Sequence, residues 1–375
     1  MTGSFWPSPS QRELLEVALG AGEEAEAAWQ RLRPTLDLDN LEPGSFALLP
    51  LVYQTLVENG SDDSLLPRLK GIYKNTWVRN NLLLERTGET ADALGSAGLH
   101  PLFLAGTLFA ARFYSNLGLR PTASVELLAD PDRLDATCDG LGAADWTFRP
   151  DITEGPSGPR YFSDDHDNLC VVRTTLAFDF THTGGSLAAH APLLEKAEPH
   201  VLRSGASVLF PATTDALLVA VMLGARRKPT PAITWILDVA MILRNAGDRV
   251  DWTRLLDLTV ARGQTIRLRE ALAYVSALPA VDVPRPALDR LASERVTRTQ
   301  RLIYAGAAGS APQLGALPEI VAAHLAASAG RGSVHAVTTF PASLRTRWGL
   351  ESSSQLPLAA GRRAVRLISG RTSTP

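Results

Sequence analysis

Two short apolar runs carry carboxylates at positions where chemistry could be done. In SVELLAD, Glu126 stands two residues after Ser124, and in LAFDFTHT, Asp179 sits between Phe178 and Phe180. Alternate residues of a strand point to one face, about 6.6–6.8 Å apart, so carboxylates on a strand and its neighbour can converge. A lone Glu on a strand is more often a surface carboxylate, and an Asp between two Phe can mark the solvated side of an amphipathic strand. Asp is nonetheless depleted in strands, which sets position 179 apart. Gly106 ends the apolar run LHPLFLAG and precedes the helical run TLFAARFYSN, as a turn glycine does. Asp238 falls inside the apolar segment WILDVA, where a carboxylate calls for a structural partner, and Trp235 beside it reads as core.

Several other chemistries are excluded or left weak. None of the seven His residues forms the i, i+4 pair of a zinc protease, and His182 and His190, flanking TGGSLAA, read as loop. The chain contains neither a G-x-x-x-x-G-K-[ST] phosphate loop nor a G-x-S-x-G nucleophile elbow. Cys138 and Cys170 are too few for a disulfide scaffold or a zinc site, as expected of a reducing cytoplasm, and read as small core residues. The formal charge of −2 gives no global basic excess, so nucleic acid is not expected as a partner. The basic clusters ARRK and GRRAVRLISGR read as solvated helix ends and tail.

The opening MTGSFWPSPSQRELLEV lacks the basic start and apolar stretch of a secretory signal. The longest apolar run, ALLVAVMLGA, has about half of the ~20 residues that a membrane span needs. We therefore expect a cytoplasmic chain without a membrane span, with that run as a buried helix.

The elements that must position these residues follow from periodicity. Helices are expected in SQRELLEVALGAG, EEAEAAWQRLR and GSFALLPLVYQTLVENG, then in a long segment over 69–97. In that segment Tyr73, Trp77, Leu84, Ala91 and Leu94 mark one apolar face, and Gly98 stands at the left-handed C-terminal cap. From Leu99 the pattern shifts to short apolar runs: LHPLFLAG, SVELLAD, PRYFSDD, NLCVVRT and LAFDFTHT predict a mixed sheet of about five strands over 99–183. From Pro192 the helical pattern returns and holds to about Arg347.

The order of these segments resembles a known family. The long helix, GLHPLFLAGTLFAARFYSNLGLRPTASVELLADPDRL, LAFDFTHT, DALLVAVMLGARRK and TWILDVAMILRNAGDRVDW together resemble the uncharacterised bacterial nucleotidyltransferases of the DNA polymerase beta-like superfamily, over roughly residues 70–280. In that family the first strand ends in Leu-Lys-Gly, an Arg-Pro precedes a strand carrying Asp-x-Asp, and a later strand reads Asp-Leu-His-Trp. The helical half carries Arg-Trp-Leu-x-Asp. The resemblance implies an α+β fold: a small mixed sheet in a nucleotidyltransferase-like lobe, flanked by N-terminal helices and a larger helical C-terminal lobe. The corresponding divisions are 1–68, 69–190, 191–350 and a partly flexible tail over 351–375.

The resemblance also implies the site. Carboxylates at 126 and 179 would hold Mg2+ or Mn2+, Ser124 would add a weak contact, and Gly106, Thr107 and Arg120 would face the triphosphate. The chain departs from the family pattern at several of these positions. Ala105 stands where the family has Lys, Ser124 where it has the first Asp, Glu126 where it has the second, and Thr181 where it has His. Arg120-Pro121 and Asp179 are kept. Two functions are compatible with such a chain. One is a degenerate pseudoenzyme that binds a nucleotide or serves as a scaffold. The other is a divergent, metal-dependent transferase moving a nucleoside monophosphate from a triphosphate to an unknown small-molecule or peptide acceptor.

Overall fold

A computed structural model describes residues 5–152, 159–174, 195–225, 233–308, 333–347 and 350–361, with Leu193, Val321 and His324. Four helices lead the chain: α1 (Pro9–Leu19), α2 (Gly22–Leu32), α3 (Leu49–Glu58) and α4 (Leu66–Ser96). Ser8 and Gln11 start α1 with a reciprocal capping box, which satisfies two otherwise orphaned backbone donors.

The long helix α4 turns inward the expected face of Tyr73, Leu84, Ala91 and Leu94, but leaves Trp77 outside and adds Thr and Asn to that face. Leu69, Thr76, Asn80, Leu83, Leu84, Thr87, Thr90 and Leu94 are buried, whereas Trp77 is 44 % exposed. Threonine can line this face because its hydroxyl bonds back to its own helix: Thr87 donates to Leu83 O at 2.7 Å and Thr90 to Arg86 O at 2.7 Å. Asn80 donates across to the carbonyls of Leu117 and Arg120, at 2.6 and 2.7 Å. At the C-terminus, Gly98 (φ +67°) permits bonds from Gly98 N to Gly95 O and from Leu99 N to Leu94 O, both 2.9 Å, the Schellman pattern expected there.

The sheet has seven strands in the order β3-β4-β5-β2-β1-β7-β6. They are β1 (Leu102–Phe103), β2 (Ser124–Leu128), β3 (Thr147–Phe148), β4 (Arg160–Ser163), β5 (Leu169–Arg173), β6 (Glu198–Val201) and β7 (Ser207–Phe210). β2 runs parallel to β5 and β1 parallel to β7, and the other pairs are antiparallel. Helix α5 (Thr107–Phe113) follows β1 and α6 (Leu134–Ala143) follows β2.

Four of the five expected strand runs contain β1, β2, β4 and β5, while the fifth, LAFDFTHT, lies outside the described residues. The hairpin β6–β7 corrects the expectation of continuous helix from 192. Its turn closes with Leu202 N on Ala206 O at 2.8 Å, with Gly205 at φ +89°. β6 is an edge strand reading EPHV, and its Val201 is 68 % exposed, so it carries no alternation to betray it. Only β7 shows the strand signal, with Val208 and Phe210 buried.

The C-terminal part is helical: α7 (Thr213–Gly224), α8 (Thr234–Ala246), α9 (Trp252–Ala261), α10 (Thr265–Val275), α11 (Arg285–Ser293), α12 (Arg298–Ala307) and α13 (Ser333–Arg347). Every residue of α7 is buried; from Ala216 onward it is apolar, and Asp215 in its first turn is paired with Arg254 at 2.9 Å. One cluster of buried apolar side chains runs from Phe5 in the N-terminal segment through the sheet to Ala308. Among the described residues no helix is long and apolar enough to cross a membrane.

Candidate functional site

β2 divides its side chains between two environments. Val125 and Leu127 enter the core, while Ser124 and Glu126 alternate onto the other face and are half-buried. The parallel register with β5 sets Glu126 opposite Val171 and Leu128 opposite Arg173, so Arg173 emerges on the Glu126 face. There its Nε donates to Glu126 Oε2 at 3.2 Å, with the Arg173 side chain 8 % exposed and that of Glu126 21 %.

The turn after β1 lies against the start of β2. Leu104 N bonds to Glu126 O at 2.9 Å, holding the two strands together beyond the paired residues of β1. Gly106 has φ +80° and ψ −133°, and a Cβ there would stand 2.6 Å from Ser124 O and 3.2 Å from Thr122 Cγ2. Only glycine fits both that backbone conformation and that approach. Gly106 thus lies against the backbone of Ser124, and Ser124 shares its strand face with Glu126. Asp179 lies outside the described residues.

Arg120 and Thr107 are directed elsewhere than at an open face. Arg120 is buried and forks onto Asp238 of α8, Nε to Oδ1 at 2.6 Å and Nη2 to Oδ2 at 2.8 Å. Its Nη1 donates to Gly106 O at 3.1 Å and to Thr122 Oγ1 at 2.9 Å. The Tyr114 hydroxyl adds a third bond to Asp238, 2.8 Å to Oδ1. Burial disfavours the Arg120 cation, but the Asp238 charge and hydrogen bonds outweigh it and hold the guanidinium above its ordinary pKa. The Tyr114 phenol is pushed up by burial first and by the Asp238 charge second. Asp238 therefore has the structural partner that a carboxylate on an apolar helix requires. Thr107 is buried, with its hydroxyl 3.4 Å from that of Thr87 on α4.

Sequence reasoning missed Arg173. Its signal was present in NLCVVRT, a charged residue of the same parity as Leu169 and Val171 on a buried strand, but the parity gains meaning only from the β2–β5 register. With Arg173 in place, the donor set among the described residues does not fit a pair of divalent cations. Of the two β2 positions that would bracket metal, one presents a neutral hydroxyl and the other a carboxylate already paired with a guanidinium. Half-buried Ala105 presents a methyl where the family resemblance sets a cation. Among the described residues no group of three or more His, Cys, Asp or Glu side chains could hold a metal ion.

The model of a family described as uncharacterised nucleotidyltransferase matches residues 46–280, from the segment that leads into α3 to the end of α10. No curated protein and no solved structure matches the chain.

Proposed function

Because the chain belongs to the uncharacterised nucleotidyltransferase family, we propose that it keeps the fold but not the transfer chemistry, and acts as a nucleotide-binding or scaffold pseudoenzyme. The observation that carries this is the Glu126–Arg173 ion pair beside Ser124. A two-metal site needs several carboxylates to neutralise two dications. Here a guanidinium already neutralises the one carboxylate of β2, and a further cation beside it would be repelled.

The fold around this face supports a preserved scaffold. Gly106 keeps the turn against β2, and Arg120 clamps that turn to α8. The nucleotide is the ligand that the family suggests, and a small-molecule, peptide or protein partner would complete the role.

The test pairs binding with turnover on the unmodified protein. Calorimetry with each nucleoside triphosphate reports binding, and a labelled triphosphate with Mg2+ or Mn2+ reports transfer. The proposal expects a bound nucleotide to be recovered intact. Pyrophosphate released in step with label incorporated into an acceptor overturns it.

A further inference from the structure

Arg173 has more hydrogen-bonding capacity than the described residues use. Its side chain is 8 % exposed, yet among the described residues its one partner is Glu126 Oε2, reached through Nε at 3.2 Å. A guanidinium carries five N–H donors in a fixed fork, and the Nη groups of Arg173 are not among the fully enclosed side-chain atoms that lack a partner, so they stand at the open edge of the side chain. Neither Nη group of Arg173 meets an acceptor among the described residues. Arg120 provides the contrast inside the same molecule, because its Nε, Nη1 and Nη2 all have oxygen partners.

The unused edge of Arg173 belongs to the face that carries Glu126 and Ser124, beside the Gly106 turn. Two Nη groups side by side match two oxygens of a phosphate, the geometry in which arginine binds phosphate most strongly. We infer that Arg173 is the phosphate contact of this site, so that it takes the phosphate tail of a nucleoside triphosphate without a divalent cation. This rests on the nucleotide-binding form of the function proposed above. The guanidinium supplies the positive charge that a metal would otherwise bring, and Glu126 orients it through Nε.

The roles have opposite signs for Glu126. As a metal ligand it would strengthen nucleotide binding. As the orienting partner of Arg173 its charge opposes the incoming phosphate, and a neutral amide keeps the acceptor while removing the repulsion.

The experiment is calorimetric titration of the full chain with ATP, in EDTA and in Mg2+, with inorganic triphosphate as competitor. Thermal melts check that each variant is folded. The expected result is ATP binding in EDTA, displaced by triphosphate, with Kd raised about tenfold or more by Arg173→Gln. Arg173→Lys, which keeps the charge but not the fork, is expected to fall between, and Glu126→Gln to lower Kd. Binding that requires Mg2+ and is weakened by Glu126→Gln overturns the inference, as does a folded Arg173→Gln protein that binds ATP normally or a wild-type protein that binds no ATP. ATP bound only with Mg2+ and recovered intact sinks this inference while leaving the pseudoenzyme standing. Turnover sinks the pseudoenzyme instead.

Discussion

Arg120 and Asp238, 118 residues apart in sequence, meet edge to edge through hydrogen bonds of 2.6 and 2.8 Å. The pair links the segment before β2 to α8, and through Arg120 Nη1 it also holds the carbonyl of Gly106. Removing one partner leaves the other buried and uncompensated. Asp238→Ala is therefore expected to destabilise the fold by about 3–5 kcal/mol in urea unfolding. Arg120→Lys is expected to lose stability too, since an ammonium cannot reproduce the fork. Unchanged stability with weakened nucleotide binding in Arg120→Lys would return this arginine to the ligand.

Gly106 is held against the backbone of β2, which has no flexible end to move aside. A methyl at this position meets Ser124 O at 2.6 Å in a backbone conformation, φ +80° and ψ −133°, that side chains rarely adopt. Gly106→Ala is expected to cost about 1–3 kcal/mol, measured by chemical denaturation. A neutral substitution would show that the turn relaxes freely away from β2.

Asp63 ties the start of α4 to α2. Its carboxylate accepts from Leu65 N at 2.7 Å, Trp29 Nε1 at 3.2 Å and Arg33 Nε at 2.9 Å. Burial pushes its pKa up, but these hydrogen bonds and the Arg33 charge outweigh burial and hold it below the usual carboxylate value. A depressed folded-state pKa gives stability that is present above the unfolded value, about 3.9, and is lost as pH falls through the folded value. Asp63→Asn should remove part of the acid-induced loss of stability, seen as a flatter dependence of the urea midpoint on pH below about pH 5. An unaltered acid profile would discount the carboxylate.

The two free thiols should differ in reactivity. Cys170 on β5 is buried, and that burial raises its thiol far above the ordinary value. Cys138 on α6 is half-buried and raised by burial, with Arg160 Nη1 at 3.2 Å working the other way. Native-state alkylation followed by mass spectrometry is expected to modify Cys138 first and Cys170 only on unfolding. Equal labelling in the native state would contradict the packing of β5.

Much of this architecture was legible in the sequence because the signals were local. The Gly98 cap, the apolar run from Ala216 in α7, the β2 alternation and the turn at Gly106 are each set by residues within a few positions of one another. What escaped depends on partners distant in sequence. The inward face of α4 mixes Leu with Thr and Asn, whose burial makes sense only with their hydrogen bonds, and Trp77 was left outside. β6 has an edge strand's polar pattern and is recognised by its pairing with β7. Arg-Pro at 120–121 and Asp238 were both visible, but not as partners, and Arg173 joined the site only once β5 was registered against β2.

On the function proposed above, the Glu126 face does not support metal-dependent nucleotide transfer. The most direct measurement compares pyrophosphate release from nucleoside triphosphates, with Mg2+ or Mn2+, by the unmodified protein and by an Ala105→Lys/Ser124→Asp variant. No release above background is expected from the unmodified protein, and a metal-dependent rise is expected in the variant. Rapid release by the unmodified protein that Glu126→Ala abolishes would contradict the proposed function.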